Sequence, residues 1–163
     1  SKSYCMTGWR IGYAAGPSLL IKAMIKIQGQ STSNPSSISQ YAALAGISGS
    51  KEFLDPCLNA FDERRHHVVD KLNSIDGISC ILPEGAFYAY PNVSGLIGKK
   101  TQNGKILNND AEIVEWLLES AEVAAVPGVA FGLEPYFRVS YATSLEVLKE
   151  AMNRIEKAVL TLS

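Results

Sequence analysis

The longest regular pattern in the chain is a run of apolar side chains at helical spacing across residues 51–75. Leu54, Leu58 and Phe61 begin this apolar face, and Val68 and Leu72 continue it. Side chains three or four positions apart lie on the same face of a helix. The spacing therefore predicts one long amphipathic helix that is covered along one side. The change in composition near residue 50 predicts a hinge between two domains.

Shorter patterns on both sides of this helix predict a mixture of helices and strands. Before it, we expect a strand at 9–15, a helix from Leu20 to a stop at Gly29, and a short helix at 38–47. After it, we expect strands at 78–82, 86–90, 123–126 and 136–142, a mobile surface loop at 95–109, and helices at 111–121 and after residue 144. Helices packed against a small sheet define the α+β class.

The overall composition is that of an ordinary globular protein and argues against several classes of partner. Of 163 residues, 47% are apolar and 19% are charged, and the formal net charge is −1. This balance gives no basis for binding nucleic acid, and no apolar stretch is long enough to cross a membrane. Cys5, Cys57 and Cys80 lack the spacing of metal ligands and predict free thiols in a reducing, cytoplasmic compartment. His66 and His67 are adjacent and point in different directions on a helix, so we predict no metal site.

A second dense pattern lies at the start of the chain. Lys2 precedes Arg10 by eight positions, and Arg10 lies within the run Met6-Thr7-Gly8-Trp9-Arg10-Ile11-Gly12-Tyr13. This segment resembles the stretch of class I, fold-type-I aminotransferases that contains the lysine forming a Schiff base with pyridoxal phosphate. Both the spacing of the two basic residues and the residues between them are similar to that family's pattern.

The resemblance implies a role for each of the two basic residues. Lys2 would bind the aldehyde of pyridoxal phosphate and, once released, act as the general base that moves a proton at the substrate α-carbon. Arg10 would bind the phosphate of the cofactor. A guanidinium suits that role because it stays charged and presents paired N–H donors that match phosphate oxygens.

A third pattern contains the candidate substrate-binding residue. Arg138 lies in the run Pro135-Tyr136-Phe137-Arg138-Val139-Ser140-Tyr141-Ala142. Its alternation predicts a strand with Phe137 and Val139 on one face and Arg138 on the other. The segment resembles the family's strand whose arginine binds the α-carboxylate of the substrate through a bidentate contact. Two further stretches, 83–88 and 126–132, also resemble the family and are expected to be structural.

The same resemblance implies that the chain is the C-terminal fragment of a longer enzyme. Residues 1–50 would be the tail of the large domain that binds pyridoxal phosphate, and residues 51–163 would be the small domain with its long linking helix. The family's groups around the cofactor ring would lie upstream of Lys2. We therefore expect these 163 residues to bind the cofactor poorly and to be inactive alone. The complete enzyme would be a cytoplasmic homodimer.

Three functions are compatible with these residues. The first is transamination between an amino acid and a 2-oxo acid, with aspartate as the first choice, because the sequence most resembles the bacterial-type aspartate aminotransferase subgroup. The second is a pyridoxal-phosphate-dependent lyase, which would use the same lysine and both arginines. The third is a non-catalytic small domain that serves interaction or dimerisation. The preferred donor is not encoded in these segments.

Overall fold

Five α-helices and three short strands make up the regular structure, and the computed structural model describes all 163 residues. The helices are α1 (Ser18–Ser31), α2 (Ser37–Ser48), α3 (Leu54–Asn73), α4 (Asp110–Ala121) and α5 (Leu145–Val159). The strands are β1 (Tyr88–Ala89), β2 (Val126–Pro127) and β3 (Phe137–Ser140). The predicted α+β class is confirmed. No helix has the length and apolar character needed to cross a membrane.

The chain divides into two compact units, Ser1–Cys57 and Leu58–Ser163, and the division falls inside α3. The first unit holds a turn-rich N-terminal segment, α1 and α2. Residues 9–15 were expected to form a strand, and this expectation is wrong: a 3₁₀ helix ends at Trp9 and irregular backbone follows. No strand in this unit is present to pair with the N–H and C=O groups of such a segment. The assignment of residues 1–50 and 51–163 to two domains of a larger protein stays a prediction.

The helices of the first unit leave most of their apolar side chains in solvent. No residue of α1 is buried, and α2 buries only Ser39. The predicted α1 is confirmed, although it continues through Gly29 and ends at Ser31. The apolar spacing of α1 therefore predicts the helix correctly, but the apolar face that it marks is not buried within this unit.

The core of the second unit lies between α3, α4, α5 and the sheet. Its helical members are all less than a tenth exposed: Val68, Val69, Leu72, Ile113, Trp116, Leu117, Leu148, Met152, Ile155 and Val159. The predicted long helix is confirmed, although it begins later and ends earlier than expected, and Leu58 on its predicted apolar face is 63% exposed. The apolar residues at helical spacing in α5 are all buried: Leu148, Met152, Ile155 and Val159. Gly77 follows α3 with a φ of +84°, a left-handed conformation that suits a residue without a Cβ.

The three strands form one antiparallel sheet in the order β1-β3-β2. Tyr88 lies opposite Ser140, and Val126 lies opposite Arg138. The predicted strand at 78–82 is reduced to one bridge between Ser79 and Asn92. With strands of two to four residues, this sheet depends on the helices that cover it.

The region 95–109, predicted to be a mobile surface loop, is anchored to the core. Leu96 and Leu107 are fully buried. Lys100 also exchanges two backbone hydrogen bonds with Ser163, of 2.8 and 3.1 Å. Its glycine and lysine content suggested a loop, but the two leucines attach it to the core and the C-terminus covers it.

Candidate active site

Lys2 and Arg10 lie on one tightly folded segment of the first unit. The carbonyl of Lys2 accepts a 3.1 Å hydrogen bond from the amide of Cys5, and the hydroxyl of Ser1 donates to the carbonyl of Ile11. The second contact joins the two ends of the segment, at residues 1 and 11. Both basic side chains are exposed.

The backbone at Arg10 has a left-handed conformation, with φ 53° and ψ 48°. This region is uncommon for residues other than glycine. The guanidinium Nη1 donates a 3.0 Å hydrogen bond to the carbonyl of Thr7. On the other side of the turn, the buried hydroxyl of Ser39 donates to the carbonyl of Trp9 at 2.8 Å. These contacts fix the direction of the arginine side chain and use one of its five N–H donors for Thr7.

Arg138 lies in the second unit, on the central strand β3. Phe137 and Val139 are 0% and 7% exposed, whereas Arg138 is half-buried on the opposite face. The predicted alternation of this strand is confirmed. The sheet therefore directs the guanidinium away from the core.

Two aromatic rings enclose the guanidinium of Arg138. Its central carbon lies 4.3 Å from the centroid of the Tyr88 ring and 4.3 Å from the centroid of the Phe131 ring. We call these two rings the aromatic clamp. Arginine stacks well on aromatic faces, and each contact stabilises its charge. Because the N–H donors of a guanidinium lie in its plane, a further partner of Arg138 would bind at the edge of that plane.

The clamp is supported by a second pair of stacked rings. Tyr90 and Tyr136 lie 5.3 Å apart with 12° between their planes, and Tyr90 meets Phe131 edge-on at 6.3 Å. The Tyr90 hydroxyl donates a 3.3 Å hydrogen bond to the carbonyl of Gly128. Desolvation raises the pKa of this hydroxyl above its ordinary value, the charge of Asp110 acts in the same direction, and the charge of Arg138 opposes both. Tyr90 is therefore a neutral hydrogen-bond donor at neutral pH.

Asp110 holds the segment that carries one ring of the clamp. The residue begins α4 and is 1% exposed. Its Oδ2 accepts hydrogen bonds from the backbone amides of Val129 at 3.2 Å and Tyr136 at 3.3 Å. Its Oδ1 is buried without a hydrogen-bond partner. The position at the start of a helix favours the negative charge.

The sequence patterns identify Arg138 but not the groups around it. Tyr88 and Phe131 lie in the two stretches that were expected to be structural, and Asp110 reads as an ordinary residue of a helical first turn. No spacing signal links the three, because they meet only through the register of β1, β2 and β3. The structure places Lys2 and Arg10 in one unit and Arg138 in the other. No group of three or more His, Cys, Asp or Glu side chains lies close enough to hold a metal ion.

Comparison with known proteins identifies the family. The family model for aminotransferase class I and II matches residues 1–155, and the chain belongs to this family. It is 54% identical over 163 residues to the aspartate aminotransferase of Rhizobium meliloti (strain 1021), covering 100% of this chain and 40% of that protein. It is 58% identical over 156 residues to the aspartate/prephenate aminotransferase of Cereibacter sphaeroides, covering 96% of this chain and 39% of that protein.

The fold agrees with that assignment. The crystal structure of the aspartate aminotransferase from Rhizobium meliloti superposes with a TM-score of 0.89 at 53% identity, covering 99% of this chain and 40% of that chain. The chain thus spans about 40% of the length of the curated relatives that it matches. The predicted resemblance to class I aminotransferases is confirmed.

Proposed function

We propose that the protein containing this chain is a pyridoxal-phosphate-dependent aminotransferase that moves an amino group between an amino acid and a 2-oxo acid. The observation that carries the proposal is the environment of Arg138, a clamped and half-buried guanidinium on a family-like strand. Relatives of high identity are named aspartate or aspartate/prephenate aminotransferases. Those names favour transamination over the lyase alternative and over a purely structural module.

Arg138 forms no ion pair with an acidic side chain of its unit, unlike Arg65 and Arg154. Arg154 forms ion pairs with Glu122 at 3.1 Å and with Glu150 at 2.8 Å, and Arg65 pairs with Asp62. No carboxylate of the second unit forms an ion pair with Arg138. A charge that is partly removed from water is stabilised by a counter-ion. The site is therefore suited to an anion that comes from outside the unit, and the planar edge of the guanidinium matches a carboxylate.

The donor set of the first unit fits the cofactor. Pyridoxal phosphate presents an aldehyde and a phosphate, which call for a primary amine and a cation with several donors. Lys2 and Arg10 supply these groups from one folded segment, and both side chains are exposed. Lys2 would hold the aldehyde end of the cofactor and Arg10 the phosphate end. When bound, the cofactor supplies an electron sink for negative charge at the substrate α-carbon.

Substrate binding and proton transfer are also assigned to residues of this chain. Arg138 binds the α-carboxylate of the amino acid and so fixes the orientation of the bond between the α-carbon and its hydrogen. The amine of Lys2 accepts the proton from the α-carbon and returns it to complete the transfer. The rings of Tyr88 and Phe131 keep the Arg138 guanidinium in one orientation. They also reduce its contact with water, which strengthens its attraction for the carboxylate.

We further infer that aspartate is the donor, that the protein is a cytoplasmic homodimer, and that the 163 residues are inactive by themselves. The names of the matched relatives support the donor. The exposed apolar side chains of α1, including Leu19, Ile25 and Ile27 at 85%, 65% and 71%, support additional covering surface in the working assembly. The greater length of the relatives supports the inactivity of the chain alone.

The test uses the intact protein as its source produces it, with aspartate and 2-oxoglutarate as substrates. We expect Lys2→Ala to lower kcat by about 10²–10⁴-fold, the range for loss of a general base. We expect Arg138→Lys to raise the KM for aspartate by about tenfold or more, because lysine cannot form the bidentate contact. Formation of the keto acid is followed by a coupled assay.

Matched controls are Lys22→Ala and Arg154→Lys, which change an exposed lysine of the first unit and an ion-paired arginine of the second. Both are expected to keep parental kinetics. Full activity in Lys2→Ala would contradict the proposal. Conversion of aspartate to products other than the keto acid would favour the lyase. Sedimentation of the intact protein tests the dimer, and titration of the 163-residue chain with pyridoxal phosphate tests its independent binding.

A further inference from the structure

We propose that Asp110 is a positioning residue for the Arg138 anion site, acting through the segment that places Phe131 against the guanidinium. The inference rests on the proposed function in one respect, namely that the anion bound by Arg138 is the substrate carboxylate. The contacts themselves do not depend on that function. Asp110 touches neither the guanidinium nor the reacting atoms in this proposal.

The two hydrogen bonds of Asp110 lie at the two ends of one segment. The Val129 amide lies near the start of that segment and the Tyr136 amide at its end. Each amide lies two residues before a member of the site, since Phe131 follows Val129 and Arg138 follows Tyr136. One carboxylate oxygen therefore fixes the distance between the backbone that carries the ring and the backbone that carries the cation.

The burial of Asp110 makes its carboxyl group dependent on these contacts. At 1% exposure the carboxylate has lost its water, and a buried charge requires hydrogen bonds or opposite charge. Its contacts are the two backbone amides and the N-terminus of α4, with no basic side chain in an ion pair. Hydrogen bonds to an ionised acceptor are about twice as strong as neutral ones. The shared acceptor oxygen thus ties Val129 to Tyr136 within this segment.

Hydrogen bonds between backbone groups also hold this segment. Loss of Asp110 is therefore expected to change the position of Phe131 as well as the stability of the fold. The amide of Gly128 donates to the carbonyl of Tyr136 at 2.7 Å, and the amide of Leu133 donates to the carbonyl of Gly128 at 3.2 Å. These bonds close the base of the segment near Gly128. The amide of Gly132 donates to the carbonyl of Val129 at 3.1 Å and closes the 3₁₀ helix Gly128–Phe131, so Phe131, which is 49% exposed, moves with the backbone of Val129. Without Asp110, we expect the base to persist and the ring to leave the guanidinium.

The experiment measures the clamp directly in the 163-residue chain labelled with ¹⁵N. Because two rings lie 4.3 Å from its central carbon, we expect the Nε–H resonance of Arg138 to be shifted to low frequency by their ring currents. We expect Phe131→Leu to remove part of this shift and Asp110→Ala to bring the resonance to the same position. Asp110→Asn keeps one acceptor oxygen and is expected to lie between that position and the parent. Glu112→Gln removes a carboxylate from the same first turn of α4, one that contacts Asn108 instead, and is expected to match the parent.

Kinetics of the intact protein provide the second readout. We expect Asp110→Ala to raise the KM for the amino acid by about tenfold while kcat changes by less than about threefold, the pattern of lost substrate binding. Asp110→Ala and Phe131→Leu are expected to be non-additive in the double variant, because both act through one ring. Emission of the buried Trp116 on α4 verifies folding of the second unit in each variant.

The outcomes separate the two proposals. An Arg138 resonance at the parental position in both Asp110 variants overturns the positioning role, whatever the kinetics show. A displaced resonance with unchanged KM also overturns it, because the clamp would then not control substrate binding. If the intact parent protein shows no transamination while the Arg138 resonance moves as expected in the Asp110 variants, the proposed function is overturned. Asp110 then remains the residue that positions the clamp.

Discussion

Replacement of Gly128 by alanine is expected to destabilise the second unit strongly. A Cβ at this position would overlap the carbonyl oxygen of Leu133, and it would lie 2.9 Å from both Asp110 Oδ2 and the carbonyl oxygen of Tyr136. Two of these three atoms belong to the backbone, which cannot rotate away as a flexible side chain could. The third is held by the hydrogen bonds described above. The segment must therefore move as a whole to admit the methyl group.

The magnitude follows from what that movement breaks. Adding a methyl group to a closely packed site costs about 1–3 kcal/mol. Separating Gly128 from Tyr136 loses a 2.7 Å backbone hydrogen bond, worth about 1 kcal/mol, and disturbing Asp110 weakens hydrogen bonds to a charged acceptor, worth about 1.5–3 kcal/mol each. Because these costs overlap, we expect the free energy of unfolding to fall by about 3–5 kcal/mol, which is large for one substitution.

Urea unfolding of the 163-residue chain measures this change. Trp116 is 6% exposed in the second unit, and Trp9 is 45% exposed in the first. With Trp9 replaced by phenylalanine in every variant, fluorescence reports on the second unit alone. Gly85→Ala is the matched control in the same unit, since its Cβ would meet no atom within 4 Å. A Gly128→Ala variant within about 0.5 kcal/mol of the parent, the range of neutral surface changes, would refute the reasoning.

Two further predictions concern titratable groups. Burial raises the pKa of the Cys80 thiol, so in native protein at pH 8 we expect iodoacetamide to modify the exposed Cys5 well before Cys80, as measured by peptide mass spectrometry; equal rates would contradict this. Two hydrogen bonds from Asn108 hold the pKa of the Glu112 carboxyl below its ordinary value. The bond from the backbone amide has the larger effect, and the bond from the side chain adds to it. The ionised carboxylate of Glu112 therefore stabilises the folded state at pH values above the pKa that this group has in the unfolded chain. The stabilisation is lost as the pH falls through the pKa that the group has in the folded chain. The difference in free energy of unfolding between the parent and Glu112→Gln should be constant near neutral pH and should fall toward zero below about pH 4.5, as measured by urea titrations.

The helices were predictable because each depends on a pattern that is local in sequence. The apolar spacing of α5 is visible without knowledge of the partner, whereas on α4 the same spacing selects Ile113 and Leu117, which are buried, and also Leu118, which is 54% exposed. The strands were less predictable, because a strand exists only where a second segment pairs with it. Residues 9–15 have suitable composition and lack a partner, whereas residues 78–82 keep a single bridge. The packing of residues 95–109 against the core was not predicted, because two isolated leucines form no periodic apolar pattern.

The candidate site divides in the same way. Lys2, Arg10 and Arg138 could be selected from sequence because their neighbours match a family pattern. The aromatic clamp could not be selected, because Tyr88 meets Arg138 diagonally across two strands and Phe131 reaches it from a turn. Asp110 could not be selected either, since an acidic residue in a helical first turn is ordinary. These contacts are set by tertiary register, which leaves no mark on spacing along the chain.

The different surroundings of Arg10 and Arg138 suit the different anions that the proposed function assigns to them. The guanidinium of Arg138 has its central carbon 4.3 Å from the centroids of two rings, and a planar carboxylate can form two parallel hydrogen bonds with the edge of its plane. Arg10 is exposed and stacks on no ring, and a tetrahedral phosphate can contact its donors from several directions. Loss of the clamp would therefore weaken carboxylate binding at Arg138 and leave phosphate binding at Arg10 unchanged. The Phe131→Leu variant tests this asymmetry, because its KM for the amino acid should rise while its affinity for pyridoxal phosphate stays at the parental value. An equal loss of both affinities would show that the ring supports the fold of the whole site rather than the orientation of one guanidinium.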